Sequence, residues 1–255
     1  MAFFKYAWYL CRVDAPKAKP VSIQLSNAET VSGLLQIPPH ARACYVLAHG
    51  AGAGMGHPFM AAVADGLAER AIATLRFQFS YMEKRSKRPD TPKVAHAAVR
   101  AGVREAARMA PGLPLFAGGK SFGGRMTSQA QAASPMESVR GLIFLGFPLH
   151  PAGQPSDERA KHLFDVKIPM VFLQGTRDDL ASLELLEPLC QKLGPRATLK
   201  LIQEANHSFH VPARTGKTDS QVLAELLDYV AEWIGICLQG SGAGISPVNP
   251  GVSPV

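Results

Sequence analysis

Cysteine is scarce in this chain: 255 residues hold four, Cys11, Cys44, Cys190 and Cys237, far apart and without a CxxC pair. That spacing excludes a disulfide framework and the common zinc-ligand patterns, and it fits a reducing cytoplasm. Cys44 and Cys237 sit in apolar runs, where a free thiol behaves as a small core residue. Long apolar runs are also missing. None approaches the roughly 18–20 residues of a membrane span, so no membrane partner is expected. The first ten residues are apolar, but Lys5 interrupts them and no small-x-small site precedes Arg12 and Asp14. They do not read as a signal peptide; residues 1–20 are expected to be an extension outside the fold. Internal repeats are absent.

Acidic residues are outnumbered, 20 against 27 lysines and arginines, for a formal charge of +7. Part of that excess is local, in Lys84, Arg85, Lys87, Arg88 and Lys93. No zinc finger, basic helix or basic stripe interleaved with aromatics accompanies it, so it reads as a solvated loop and no nucleic-acid partner is expected. No feature sets an oligomeric state.

What is present supports a sizeable core: 47% of residues are hydrophobic and 18% charged, a globular balance for one large domain or two small ones. Val21–Leu25 and Val31–Leu35 alternate around a polar turn and predict an antiparallel hairpin. Continuous apolar runs follow at 43–48, 71–77, 113–117, 139–145, 169–174 and 197–202, as expected for strands buried on both faces. Between them lie stretches with helical spacing, at 58–70, 90–110, 122–132 and 183–193, the last with a start delayed by Pro188. A final helix at 220–238 carries Leu223, Leu227, Val230 and Ile234 on one face, widened by Leu226 and Trp233. Asp90-Thr91-Pro92 predicts a capped helix start. Strands alternating with helices imply a mostly parallel α/β sheet over about residues 21–238, helices on both faces, its chemistry at the carboxyl ends of the strands. Residues 147–168 are too few for a large lid. Residues 239–255, rich in Gly, Ser and Pro, are expected to be a disordered tail.

Gly119-Lys120-Ser121-Phe122-Gly123 ends one such run and opens a helix. Gly-x-Ser-x-Gly at a strand-to-helix turn is the nucleophile elbow, whose glycines let neighbouring backbones approach. Gly-Lys-Ser also ends phosphate-binding loops, but that motif needs glycine where Pro114 stands. The other strand ends supply partners. After 43–48 comes His49-Gly50-Ala51-Gly52-Ala53-Gly54, whose spacing fails the dinucleotide fingerprint. It suits an oxyanion hole made by the N–H groups of Ala51 and Phe122. After 169–174 comes Arg177-Asp178-Asp179. Asp178 is the expected acid, with Asp179 as the alternative and otherwise a helix cap. After 197–202 comes His207, the expected base, with His210 nearby; a metal site of His207, His210 and Asp178 is the rival reading. Ser, Asp, His in that order is the order of α/β-hydrolases.

The blocks His49 to Gly54, Arg76-Phe77, Gly119 to Arg125, Gly146 to Pro151, Gln174 to Asp178 and Asn206 to Phe209 resemble α/β-hydrolases of the dienelactone-hydrolase-like group. More narrowly they resemble the branch of the testis-expressed hydrolase-like protein and of subunit 3 of the NSL histone acetyltransferase complex. The resemblance implies an α/β-hydrolase fold with a small or absent lid, a triad of Ser121, Asp178 and His207, and no cofactor. Dienelactone hydrolases proper use cysteine as nucleophile, so lactone specificity does not carry over. The expected function is a serine hydrolase acting on a small acyl substrate, with a pocket near His49, Gly50, Gly52, Lys120, His150 and His210. The alternative is a scaffold module of the same fold without relevant catalysis, as in some eukaryotic relatives.

Overall fold

The computed structural model describes residues 16–26 and 28–240. The expected hairpin forms from β1 (Lys19–Ser26) and β2 (Glu29–Gln36), paired antiparallel. β1 starts at Lys19, two residues inside the segment expected as an extension. Residues 1–15 of that segment, and 241–255 of the expected tail, lie outside the described residues. The strand runs then become β3 (Ala43–Ala48), β4 (Ile72–Phe77), β5 (Leu115–Lys120), β6 (Val139–Leu145), β7 (Met170–Gly175) and β8 (Ala197–Ile202). They form one sheet in the order β1-β2-β4-β3-β5-β6-β7-β8. β1 and β2 run antiparallel at one edge, and every pairing from β4 to β8 is parallel.

Successive strand residues point to opposite faces, so a strand covered on both sides must be apolar throughout. β3 shows it. Cys44, Val46 and Ala48 enter one core, beneath α3 (Pro92–Met109), α4 (Phe122–Ala133) and α5 (Leu183–Leu193). Ala43, Tyr45 and Leu47 enter the other, beneath α1 (Pro58–Ala68) and α6 (Asp219–Gln239). Each fully buried Val, Leu or Phe contributes about 1.5–3 kcal/mol relative to an exposed one. α6 inserts Leu226, Leu227, Val230, Trp233 and Ile234, with Leu223 partly covered, as its spacing requires.

Two local expectations are corrected. Asp90 does not cap α3; its carboxylate accepts the Tyr81 N–H at 3.1 Å, and Thr91 takes the cap position without a side-chain bond. That contact fastens α2 (Ser80–Glu83), a single turn too short to show periodicity in sequence. α5 starts at Leu183 with Pro188 inside it, packed by Leu186, Leu189 and Leu193, so burial outweighs the lost backbone bond. Between β6 and β7 the chain forms only a 3₁₀ segment, Glu158–Asp165, and no lid domain is built there.

Candidate active site

β5 delivers the serine. Ser121 sits between β5 and α4 at φ 49° and ψ −115°, a left-handed conformation that costs a non-glycine residue about 1–3 kcal/mol. The surrounding chain holds it there. A Cβ at Gly119 would lie 2.1 Å from the Ala48 carbonyl oxygen, and one at Gly123 2.5 Å from the same atom. Only glycine lets the elbow press this closely on β3. The Ser121 hydroxyl is thereby lifted above the strand ends, where the loops after β7 and β8 converge.

Ser121 Oγ lies 2.9 Å from His207 Nε2, and His207 Nδ1 lies 2.7 Å from Asp178 Oδ2. The Asp178 side chain is 0% exposed and that of His207 24%, so the acid is sealed from water while the imidazole opens outward. Asp178 also accepts the Leu180 N–H at 2.8 Å and an N–H of the Gln174 side chain. Gln174 in turn accepts the Phe147 N–H at 2.9 Å. Sequence reasoning gave Gln174 no such role; a lone polar residue ending an apolar strand was the available signal. Asp179 is exposed, and Ser182, not Asp179, precedes α5 as its cap residue.

The His207 loop is shaped from within. Asn206 Oδ1 accepts the N–H groups of Ser208 and His210 at 2.9 and 3.1 Å, an Asx turn that presents His207 at its apex. Lys120 braces the loop from β5: its ammonium donates to the His207 carbonyl and lies 5.2 Å from the Phe209 ring centroid. Burial pushes the Lys120 amine down to about 8. A Cβ at Gly146 would meet Lys120 Nζ at 2.8 Å, so glycine keeps the brace in place.

Neither Ala51 N–H nor Phe122 N–H has a partner among the described residues. They belong to the loop after β3 and to the first turn of α4, the two segments an oxyanion hole uses. Gly50 stands against the elbow, its missing Cβ 3.9 Å from that of Ser121. Gly52 donates its N–H to the Tyr81 hydroxyl at 2.9 Å, which ties the loop to α2.

Three histidines expected near the pocket do other work. His49 is 0% exposed; its Nδ1 lies 2.7 Å from the Gly50 carbonyl, and its Nε2 accepts the Phe79 N–H at 3.2 Å. Burial lowers its pKa, so it is a neutral tie between two loops. His150 is equally enclosed: its Nε2 accepts the Ser182 N–H at 2.9 Å and joins the crossover after β6 to the start of α5. His210 turns to solvent and pairs with Asp219 at 2.9 Å. It therefore does not converge with His207 and Asp178, as the metal reading required. Lys120 likewise faces a carbonyl and a ring rather than standing free as a cation for substrate.

A family model described as an alpha/beta hydrolase domain matches residues 41–235. The chain belongs to that family. Its fold is shared with a dienelactone hydrolase from Anabaena variabilis, at 23% identity and a TM-score of 0.70, covering 87% of this chain and 98% of that one. An α/β serine hydrolase without a lid from Xanthomonas campestris is similar at 19% identity and a TM-score of 0.63, over 92% and 97% of the two chains. Est1E from Butyrivibrio proteoclasticus is similar at 15% identity and a TM-score of 0.65, over 88% and 99%. At such identities the likeness is one of fold. Within this α/β-hydrolase, the hydrogen-bonded chain from Ser121 through His207 to Asp178 can move a proton off the serine hydroxyl. The two open N–H groups can receive a negative oxygen beside it.

Proposed function

We propose that the protein is a serine hydrolase cleaving an ester or similar acyl substrate. The observation that carries this reading is the unbroken hydrogen-bonded line Ser121–His207–Asp178 at 2.9 and 2.7 Å. Ser121 Oγ attacks the acyl carbonyl while His207 Nε2 takes its proton. Asp178 keeps the Nδ1–H tautomer and stabilises the imidazolium. The carbonyl oxygen becomes an oxyanion held by the Ala51 and Phe122 N–H groups. His207 returns the proton to the leaving alcohol, and water repeats the sequence on the acyl-enzyme to release the acid. No cofactor enters these steps.

A fluorophosphonate probe is expected to label the wild type and not Ser121→Ala, and His207→Ala is expected to lose ester turnover. Equal labelling of the serine variant and the wild type sinks the assignment. An unlabelled, inactive wild type supports a scaffold module instead.

A further inference from the structure

Ser121, Arg125 and Ser128 are spaced i, i+4 and i+7, so they share one stripe along α4. The stripe packs against the 3₁₀ segment Glu158–Asp165: Ser128 Oγ lies 2.7 Å from His162 Nε2. One turn from that contact on each element stand Arg125 and Arg159; burial, and after it the Arg159 charge, lowers the Arg125 pKa. Helical side chains lean toward the N-terminus of their helix, so Arg125 leans toward the nucleophile, whose Cα is about 6 Å away along the axis.

Neither guanidinium meets a carboxylate within ion-pair distance among the described residues. Neither makes a hydrogen bond or ion pair through its side chain with any described residue, and Arg125 Nε is buried away from water with nothing to donate to. Two other arginines are answered: Arg70 reaches Asp228 at 2.8 Å, and Arg42 reaches the Ala231 carbonyl at 2.6 Å. The one carboxylate on the facing segment with a described ion pair, Glu158, is taken by Lys161 at 2.6 Å. Burial, with Arg125 and His96 beside it, holds the His162 imidazole down to about 4. At neutral pH it is therefore an uncharged neighbour, and the positive charge belongs to the arginines. Two adjacent buried-edge cations without an acid are unfavourable alone and favourable around an anion, for which the planar guanidinium fork is built.

We propose that Arg125 and Arg159 form a subsite for an anionic group, a carboxylate or a phosphate, carried by the acyl substrate that Ser121 attacks. This rests on Ser121 being the nucleophile. The hydrolase thus prefers esters that are negatively charged at one end.

The test compares kcat/KM on matched ester pairs. One pair carries the charge on the acyl side: the mono-p-nitrophenyl ester of glutaric acid against p-nitrophenyl pentanoate. The other carries it on the alcohol side: carboxyphenyl and phosphophenyl butyrate against phenyl butyrate. In the wild type at least one anionic member is expected to exceed its neutral partner by about tenfold or more, the worth of a charge-assisted hydrogen bond. Arg125→Gln and Arg159→Gln should each bring that ratio toward unity, while Arg125→Lys keeps part of it. Which arm shows the preference distinguishes carboxylate from phosphate and acyl side from alcohol side. A wild-type ratio near unity in every pair, or a ratio that survives both glutamine variants, overturns the subsite.

Should the wild type neither take the fluorophosphonate nor turn over any ester, the nucleophile reading has failed and the subsite is judged by binding. Inorganic phosphate or glutarate should then raise the Tm of the wild type and not of the Arg125→Gln, Arg159→Gln double variant. Equal shifts, or none, overturn it.

Discussion

Asp178 shows what a single buried charge contributes. It is sealed from water and held by three donors, so its carboxylate cannot rotate away from His207 Nδ1. Asp178→Asn keeps the shape but offers an amide N–H where an acceptor is needed, which turns the imidazole to the wrong tautomer. We expect kcat to fall roughly 10⁴-fold with little change in KM; steady-state kinetics on a neutral ester will show it, and a tenfold loss or less would contradict the role. Lys120 gives the second residue-scale prediction. Its folded pKa, about 8, lies below the ordinary value of 10.5, so the folded protein resists the charged form. The charge therefore opposes folding below about pH 8, and this penalty is relieved as the pH rises toward 10.5. Relative to Lys120→Met, the wild type should gain stability between those two values in urea melts repeated at rising pH. A gap that stays constant would refute the assignment.

Elements rather than single groups set how these side chains meet. β5 is wedged between β3 and β6, and its glycines make this possible. A Cβ at Gly118, whose φ is +148°, would fall 1.9 Å from the Ile143 carbonyl oxygen of β6. Gly118→Ala should lower unfolding free energy by more than about 3 kcal/mol or prevent folding altogether. Thr218→Ala, which removes the capping box at the solvent-facing start of α6, should cost only about 1 kcal/mol. Chemical denaturation orders the two, and a milder effect at Gly118 would mean that β6 can move aside. The helices and strands were largely legible because their apolar spacing repeats a simple period. The hydrogen-bonded line of Ser121, His207 and Asp178 was legible because each of the three follows a different strand. What stayed hidden depends on contacts between distant loops. Asp90 reads as a cap by its position before Pro92, yet α2, a single turn too short to show a period, claims its carboxylate through the Tyr81 N–H. His49, His150 and His210 share a residue type with the base, but only the fold decides which imidazole meets the serine.

At the scale of the molecule, the site is a notch on the carboxyl edge of an open sheet. The crossover from Gly146 to Pro169 carries a 3₁₀ segment, and among the described residues no covering domain is built there. Ester turnover should therefore follow a simple saturation curve, without a jump when the substrate passes its solubility limit and forms an interface. An abrupt rise at that concentration, measured with a short-chain triglyceride, would show a moving cover after all.

The bond between Ser121 and His207 also has a temporal meaning. Its partners are 86 residues apart in sequence, and they meet only after β6 has docked on β5, β7 on β6 and β8 on β7. Long-range pairing of this kind comes late and is slow to assemble. A serine that reacts only when His207 is in place is thus a clock for the last stage of folding. Capture of probe at intervals after dilution from denaturant would date the arrival of the final strand, independently of any spectroscopic signal from the core.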